Sequence, residues 1–409
     1  MNVLVALCAI GAEKVLGNEI RLSGWRIVSS EAGRVAFEGD DDALFNANLC
    51  LATADRVYLQ AAYYQADDFD DLFDGAYSVE WQDLLKKNSR VVIDKARSRA
   101  SRLNSERAIQ SVIQKAIYTK LTDKWHIGTL SESGFKSDVR VYIEKNKARV
   151  LLDLSGEPLH KRGYRLEGGD APLRETTAAA ILHMMMWKRK LPLHDPFCGS
   201  GTIAIEAALY AHNIAPGLAR AFAVENLPFL SKQKASELRL KQARKIRADS
   251  SIEVRVTGTD ISGQAVALAR KNAERAFAAA KRALKAADAE QEARFEVPDF
   301  QQADFRELRA PFERGMLICN PPYGERLGSE EQAESLYKEM SSLFEDFAGW
   351  KIGVITENRD FPSFAGRRAD SVKPLKSGKK DTAFYIYENQ SKRNLKVDSQ
   401  HRVNRESES

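Results

Sequence analysis

Residues 191–208 read LPLHDPFCGSGTIAIEAA, and no other stretch narrows the choice of fold as much. A short apolar strand ends in Asp195, a Gly/Ser turn follows, and a helix begins near Thr202. Gly199 and Gly201 permit tight backbone geometry and close approach of a ligand. The helix aims its free N–H groups, the positive end of its dipole, at whatever occupies the turn. Strand, glycine turn and helix in this order signal a nucleotide site. The string is neither the dinucleotide G-x-G-x-x-G nor the P-loop G-x-x-x-x-G-K.

A second stretch, Met316 to Arg326, reads MLICNPPYGER. Met316, Leu317 and Ile318 predict the end of a buried strand, which breaks into Asn320-Pro321-Pro322-Tyr323-Gly324. The prolines remove two backbone donors and stiffen the loop. The Asn amide and nearby carbonyl oxygens are thereby held in place beside a projecting Tyr. Such a loop suits a planar base with an exocyclic amine: the Asn oxygen and a backbone carbonyl each accept one amine hydrogen, and the ring stacks. A proline-stiffened turn without chemistry is the plain alternative.

With both stretches in view, the chain resembles the class I amino-group methyltransferases. Their signatures are [DNS]-P-P-[YF] and the D-P-F-C-G-S-G-T form of the S-adenosyl-L-methionine loop. The resemblance implies cofactor contacts at Asp195, Phe197, Cys198, Gly199, Ser200, Gly201 and Thr202, and catalysis at Asn320, Pro321, Pro322 and Tyr323.

At 409 residues the chain has room for two or three domains. Its 44% hydrophobic and 29% charged fractions are those of a globular protein. A net charge of +5 permits an acidic partner such as nucleic acid without demanding one. Cys8, Cys50, Cys198 and Cys319 are scattered, with no C-x-x-C pair, so neither a disulfide framework nor a metal site is indicated. No stretch approaches the roughly 20 apolar residues of a membrane span. Met1 to Ala12 lacks a basic start, so no signal peptide is expected. A reduced, cytoplasmic protein is the expectation.

In chain order, strand, helix and two strands over Asn2–Phe37 suit half of a ferredoxin-like unit, with a helix over Asp41–Ala52 and a strand over Arg56–Tyr64. Val91–Ile93 predicts a short strand before the basic run Lys95–Arg102. Asn104 or Ser105 can cap the helix that follows. Val139–Glu144 and Arg149–Leu154 predict a hairpin around Lys145-Asn146-Lys147. Arg97, Arg99 and Arg102 are candidate phosphate contacts on a cationic rim; an ordinary solvated face is the alternative. Element order and basic clustering here resemble a THUMP module, an RNA-binding domain.

Ser155–Asp170 is a turn-rich basic connector and the best boundary. LHKRGYR followed by APLRETT and a helix over Ala178–Lys188 resembles the linker and first helix of THUMP-containing RNA methyltransferases. That likeness implies cofactor contacts at Glu175 and Thr176; a plain helix cap is the alternative. Glu206 faces either cofactor or solvent. Asp260 closes the β-branched strand Val256–Asp260 and is the candidate ribose ligand, with helix capping as the alternative; it lies well beyond the ~20 residues of a plain βαβ unit. Ala215–Leu218 and a charged helix over Ser231–Arg247 fill the gap as an insertion. Ala273–Ala293 predicts a long exposed helix. Phe300–Phe305 matches the family position where an Asp, here Asp304, accepts the adenine amine and an aromatic, here Phe305, packs its ring. A helix over Tyr337–Phe347, a strand over Lys351–Thr356 and an edge strand over Thr382–Glu388 complete the pattern.

The expected architecture is an α/β class I, Rossmann-like methyltransferase domain with a mostly parallel sheet, preceded by an α+β RNA-binding region. Its boundaries are 1–155 for the ferredoxin-like and THUMP region, 156–390 for the methyltransferase domain and 391–409 for a disordered tail. The likeness is to bacterial enzymes that methylate guanine N2 in 23S ribosomal RNA, with RNA as partner and no membrane or metal. Glu325 and Arg326 could bias the base to guanine, or could pair with each other. A tRNA guanine-N2 enzyme, a nucleic-acid adenine-N6 or DNA amino-methyltransferase, a cytosine-C5 enzyme using Cys198 or Cys319, and a non-catalytic RNA-binding assembly factor remain as alternatives.

Overall fold

The computed structural model describes residues 1–165, 173–248, 253–287, 294–322, 330–377 and 380–388. In order the first elements are β1 (Asn2–Leu7), α1 (Glu13–Leu22), β2 (Arg26–Glu31), β3 (Arg34–Gly39), α2 (Asp41–Cys50) and β4 (Arg56–Gln65). Then come α3 (Phe69–Tyr77), α4 (Trp81–Leu84), β5 (Arg90–Arg99), α5 (Glu106–Trp125), β6 (Lys136–Glu144) and β7 (Lys147–Asp153). The second half holds α6 (Glu175–Met184), β8 (Leu193–Asp195), α7 (Thr202–Ala211), α8 (Lys232–Ala243), β9 (Val256–Asp260), α9 (Gly263–Ala286), β10 (Asp299–Gln302) and β11 (Met316–Cys319). It closes with α10 (Glu330–Glu339), α11 (Leu343–Asp346), β12 (Lys351–Thr356), α12 (Phe361–Phe364), β13 (Ser371–Ser377) and β14 (Lys380–Glu388).

Among the described residues the strands form two seven-stranded sheets. The first runs β2-β3-β1-β4-β7-β6-β5. Its first six elements make a complete βαββαβ unit of ferredoxin-like order. Local chemistry fixes several ends: Asp40, Asp68 and Ser105 each accept a backbone N–H at a helix start. Lys145 and Asn146, both at positive φ, make the two-residue turn that pairs Glu144 with Lys147.

The second sheet runs β10-β9-β8-β11-β12-β14-β13. Every pair from β10 to β12 is parallel, and β14 is antiparallel to both its neighbours. This is the doubly wound arrangement, in which ligands bind beyond the carboxyl ends of the strands. Asp195, Asp260 and Asn320 all stand at or just past those ends.

Several expectations are corrected. Lys95–Arg99 does not follow β5 but continues it, beyond a bulge between Ile93 and Lys95, because β6 supplies a parallel partner. The two-residue strand period then sets Lys95, Arg97 and Arg99 on one face and buries Ala96 on the other. Ala273–Ala286 is part of α9 and buries Ala276, Phe277, Ala280 and Leu284, so it is an amphipathic helix rather than a solvated one. The expected helix over Tyr337–Phe347 is broken by a 3₁₀ turn at Met340–Ser342. β14 is interior, and β13 holds the edge. That edge is blunted by Pro374 and by Ile10, which exchanges two backbone hydrogen bonds with Lys376 (3.0 and 2.9 Å).

The chain forms two compact units that no single cut separates. One contains Met1–Cys8, Leu16–Lys161 and Pro216–Gln242; the other contains Ala9–Val15, Arg162–Ala215 and the chain from Ala243 onward. Pro216–Gln242 belongs to the first unit through tertiary contacts. Phe222 meets Phe45 edge-on at 5.6 Å, the Gly217 N–H reaches the Leu49 carbonyl at 3.0 Å, and Lys234 pairs with Asp42 at 2.9 Å. The tail 391–409 lies outside the described residues.

Candidate functional site

The turn after β8 is built from opposed backbone bonds. Cys198 N–H donates to the Thr259 carbonyl (2.9 Å), Gly201 N–H to the Cys198 carbonyl (2.8 Å), and the Asn272 amide to the Ser200 carbonyl (3.0 Å). Gly199 and Gly201 both have positive φ, +51° and +83°. A Cβ on Gly201 would lie 2.8 Å from the Phe300 ring and 3.0 Å from Ala269, so close packing demands glycine there. A Cβ on Gly199 would meet nothing within 4 Å, which leaves open space above the turn.

Three acids stand at or just past the carboxyl ends of β8, β9 and β10. Asp195 is buried, accepts the Phe197 N–H at 3.1 Å, and is pushed up to about 8 by burial, with Asp260 adding to the effect. Asp260 accepts from Gly199 N–H and from Ser262 N–H, each at 2.9 Å. The helix cap is Ser262, not Asp260, whose oxygens each keep a lone pair for a further donor. Asp304 caps a single 3₁₀ turn (Phe305–Glu307) and pairs with Arg306 at 2.6 Å. Phe305 is buried against Phe197, ring centroids 5.0 Å apart, so the half-buried Phe197 is the more accessible of the two.

The start of α6 is buried too. Glu175 and Thr176 are each 3% exposed. The Glu175 carboxyl is pushed up to about 7 by burial, opposed by Arg165, whose guanidinium lies 3.5 Å away. Sequence reasoning missed this cluster. Arg162 lies 3.4 Å from Glu206, the Tyr164 hydroxyl donates to Glu206 at 3.0 Å, and Arg165 donates to Thr202 Oγ1. Glu206 therefore does not face solvent: it is buried and engaged by Arg162 and Tyr164. The signal is in the cations of KRGYR themselves, which lie inside what reads as a turn-rich basic connector.

At the end of β11, Asn320 Oδ1 is buried and takes no hydrogen bond among the described residues. Pro321 is buried, and the Pro322 carbonyl accepts the Tyr337 hydroxyl at 3.4 Å. Tyr323, Glu325 and Arg326 lie outside the described residues. The Cys198 and Cys319 thiols are both buried and pushed far above their ordinary range by burial, with Asp195 adding. Burial of this kind disfavours the thiolate that a nucleophilic cysteine needs.

In the first unit, a cleft of about 720 Å³ carries Arg34, Arg97, Arg99, Lys145, Lys147 and Arg149, with Tyr63 and Tyr142 among them and with Glu31 and Glu144, which pair with Arg34 and, for Glu31, with Arg149. Arg97 pairs with Glu106, while Arg102 lies outside the cleft lining and approaches Asp67 at 3.7 Å. Arg34 and Arg149 lie over the rings of Tyr142 and Tyr63 (5.7 and 5.0 Å). No helix among the described residues is long and apolar enough to cross a membrane.

Comparison with known proteins identifies the family. Residues 162–386 match the family described as "RMKL-like, methyltransferase domain", and residues 3–58 match the "RlmL ferredoxin-like domain". "Putative RNA methyltransferase YpsC" of Bacillus subtilis is 35% identical over 390 residues, covering 94% of this chain and 95% of that protein. "Ribosomal RNA large subunit methyltransferase K/L" of Photobacterium profundum is 32% identical over 394 residues, covering 95% of this chain; the chain spans 53% of that protein's length. The crystal structure of SMU.472 complexed with SAH is 34% identical, with a TM-score of 0.82, and covers 95% of this chain and 98% of that one. TrmN from Thermus thermophilus, 19% identical with a TM-score of 0.64, shares the fold. With a glycine turn braced by Asp260 and an Asn-Pro-Pro stretch at the strand ends of a doubly wound sheet, the chain belongs to the RMKL-like methyltransferase family.

Proposed function

We propose that this chain is an S-adenosyl-L-methionine-dependent RNA methyltransferase that modifies the exocyclic N2 amine of a guanine in 23S ribosomal RNA. The observation that carries the reaction class is the buried Asn320 Oδ1, unpartnered among the described residues. A buried acceptor without a donor costs about 1–3 kcal/mol. An incoming amine hydrogen removes that cost at the position where chemistry is needed.

The residues around the glycine turn fit the cofactor. Open space over Gly199, the free lone pairs of Asp260 toward ribose hydroxyls, and Asp304 beside the Phe197–Phe305 pair suit ribose and adenine. When bound, that cofactor supplies an electrophilic methyl on a sulfonium. The chain's own part is positioning. Asn320 accepts one amine hydrogen and the Pro321 carbonyl the other, since the Pro322 carbonyl already receives Tyr337. Holding both hydrogens favours a more pyramidal nitrogen, whose lone pair is less delocalised into the ring. Tyr323 stacks on a base presented unpaired. No strongly shifted base is required, and much of the acceleration is orientation.

The RNA assignment draws on the K/L relatives' name and on the cationic cleft, where Arg97 and Arg99 with the neighbouring lysines would follow a phosphate backbone, Arg102 extending the track. The choice of guanine rests on Glu325 and Arg326. A carboxylate accepts from guanine N1–H but faces a lone pair on adenine N1, and Arg326 can donate to O6. Labelled cofactor, deproteinised ribosomal RNA and nucleoside analysis test this. N2-methylguanosine is the expected product, and N6-methyladenosine as the main product overturns it. Glu325→Ala should lose about 1–3 kcal/mol of base discrimination.

A further inference from the structure

One row of side chains crosses four adjacent strands of the first sheet. Tyr63 on β4 stands opposite Arg149 on β7, Arg149 opposite Tyr142 on β6, and Tyr142 opposite Arg97 on β5. Residues directly opposite one another share a face of the sheet, so tyrosine and arginine alternate along one line. Strands about 4.8 Å apart set the two tyrosines roughly 10 Å from each other. Two bulges make the row. β4 shifts register between Gln60 and Ala62, and β5 between Ile93 and Lys95. A one-residue shift turns every later side chain to the other face, so unshifted strands would put Tyr63 and Arg97 on the side away from Arg149 and Tyr142. The row also needs the β4–β7 pairing, which joins the ferredoxin-like unit to the strands after it. All four residues line the cleft of about 720 Å³, where Tyr63 is 52% exposed.

The cations of the cleft divide into two sets. Arg34 and Arg149 are neutralised by Glu31 and lie over the Tyr142 and Tyr63 rings, and Arg97 pairs with Glu106. Arg99, Lys145 and Lys147 line the same cleft and form no ion pair among the described residues. The first set steadies the rings, and the second keeps its charge for a ligand. Charge alone would serve any polyanion. An exposed aromatic face adds attraction for a planar base, which a duplex hides inside its own stack. We propose that this face is a platform for an unpaired stretch of the RNA substrate, with one base stacked on Tyr63, its neighbour lying along the row toward Tyr142, and Arg99, Lys145 and Lys147 on the flanking phosphates. This rests on the RNA reading above and adds to it the strandedness of the ligand and a stacking residue, Tyr63.

Fluorescence anisotropy on the full chain with two probes tests it. One is a labelled, non-self-pairing RNA of about 12 nucleotides; the other is the same RNA annealed to its complement. The unmodified protein should prefer the unpaired probe by about fivefold or more, the lower range for one stacked base. Tyr63→Ala should weaken the unpaired probe about 5- to 100-fold, leave the duplex within about twofold, and leave the salt slope unchanged, since no phosphate contact is lost. Tyr63→Trp should hold or raise the affinity, and Tyr63→Leu, apolar but not planar, should behave like Tyr63→Ala. Equal weakening of both probes makes Tyr63 a structural support and overturns the platform. A duplex bound as tightly as the unpaired probe by the unmodified protein overturns it without any variant having to fold. Undiminished RNA affinity in a Tyr63→Ala enzyme that still yields N2-methylguanosine brings down the platform and leaves the proposed function standing. Binding of neither probe brings down the platform together with the RNA role of this cleft.

Discussion

Gly199 donates its backbone N–H to the Asp260 carboxylate at 2.9 Å, so the turn after β8 and the end of β9 form one surface. Asp260 braces the turn, and in the proposed reading it also presents acceptor lone pairs to a ribose. Asp260→Ala should weaken S-adenosylhomocysteine binding by about 1–3 kcal/mol. Asn320→Ala should leave that affinity nearly intact and collapse turnover. Calorimetry and single-turnover methylation on both variants separate the roles, and equal loss of binding would reject the division.

The buried acids predict an unusual pH dependence. Asp195 is pushed up to about 8 and Glu175 to about 7, each chiefly by burial. Both bind protons more tightly in the folded chain. Their stabilising contribution is complete below the unfolded carboxylate range, near 4, and is lost as pH climbs through about 7 and 8. Melting temperature should fall across that window, and Asp195→Asn should flatten the fall.

Ligand binding should show the opposite sign. Positive charge near Asp195 and Glu175 favours their ionised forms. Affinity for S-adenosyl-L-methionine should rise as pH approaches 8, with protons released at pH 7. Titrations in buffers of different ionisation heat count those protons; a count of zero would contradict the placement of the cofactor against these acids.

The two glycines of the turn should respond differently. Gly201→Ala combines a left-handed φ with a Cβ 2.8 Å from Phe300, and should cost about 1–3 kcal/mol of stability, read by denaturant melts. Gly199→Ala has room for its Cβ but carries the strain of a +51° φ, about 1–2 kcal/mol; it should still fold, and its methyl enters the space assigned to the cofactor and should weaken binding. If Gly199→Ala binds S-adenosylhomocysteine as tightly as the parent, the cofactor lies elsewhere.

For RNA, the cleft geometry ranks the cations. Arg99, Lys145 and Lys147 line the cleft, whereas Arg102 sits outside that lining, near Asp67. Replacing the first three by Gln should lower the salt slope of RNA binding by about 0.7–0.9 for each phosphate no longer neutralised, and Arg102→Gln by less. An unchanged slope in the triple variant would make this an ordinary charged face.

What the residue order determined alone was local. The glycine turn and α7, the Ser105 cap, the Lys145–Asn146 turn and the Asn-Pro-Pro break after β11 follow from φ preferences, side-chain caps and missing N–H groups within a few residues. Tertiary structure decided the rest, because each case turns on a partner distant in the chain. Lys95–Arg99 becomes strand only because β6 pairs with it, and β14 becomes interior only because β13 covers its far side. Pro216–Gln242 joins the first unit because Phe45 and Leu49 offer it a surface. Arg165 and Glu175, which read as a turn-rich basic connector and a helix start, stand 3.5 Å apart, Glu175 buried and Arg165 half-buried with a hydrogen bond to Thr202. Desolvation of a charged group depends on everything packed around it, and neighbours in sequence do not report that.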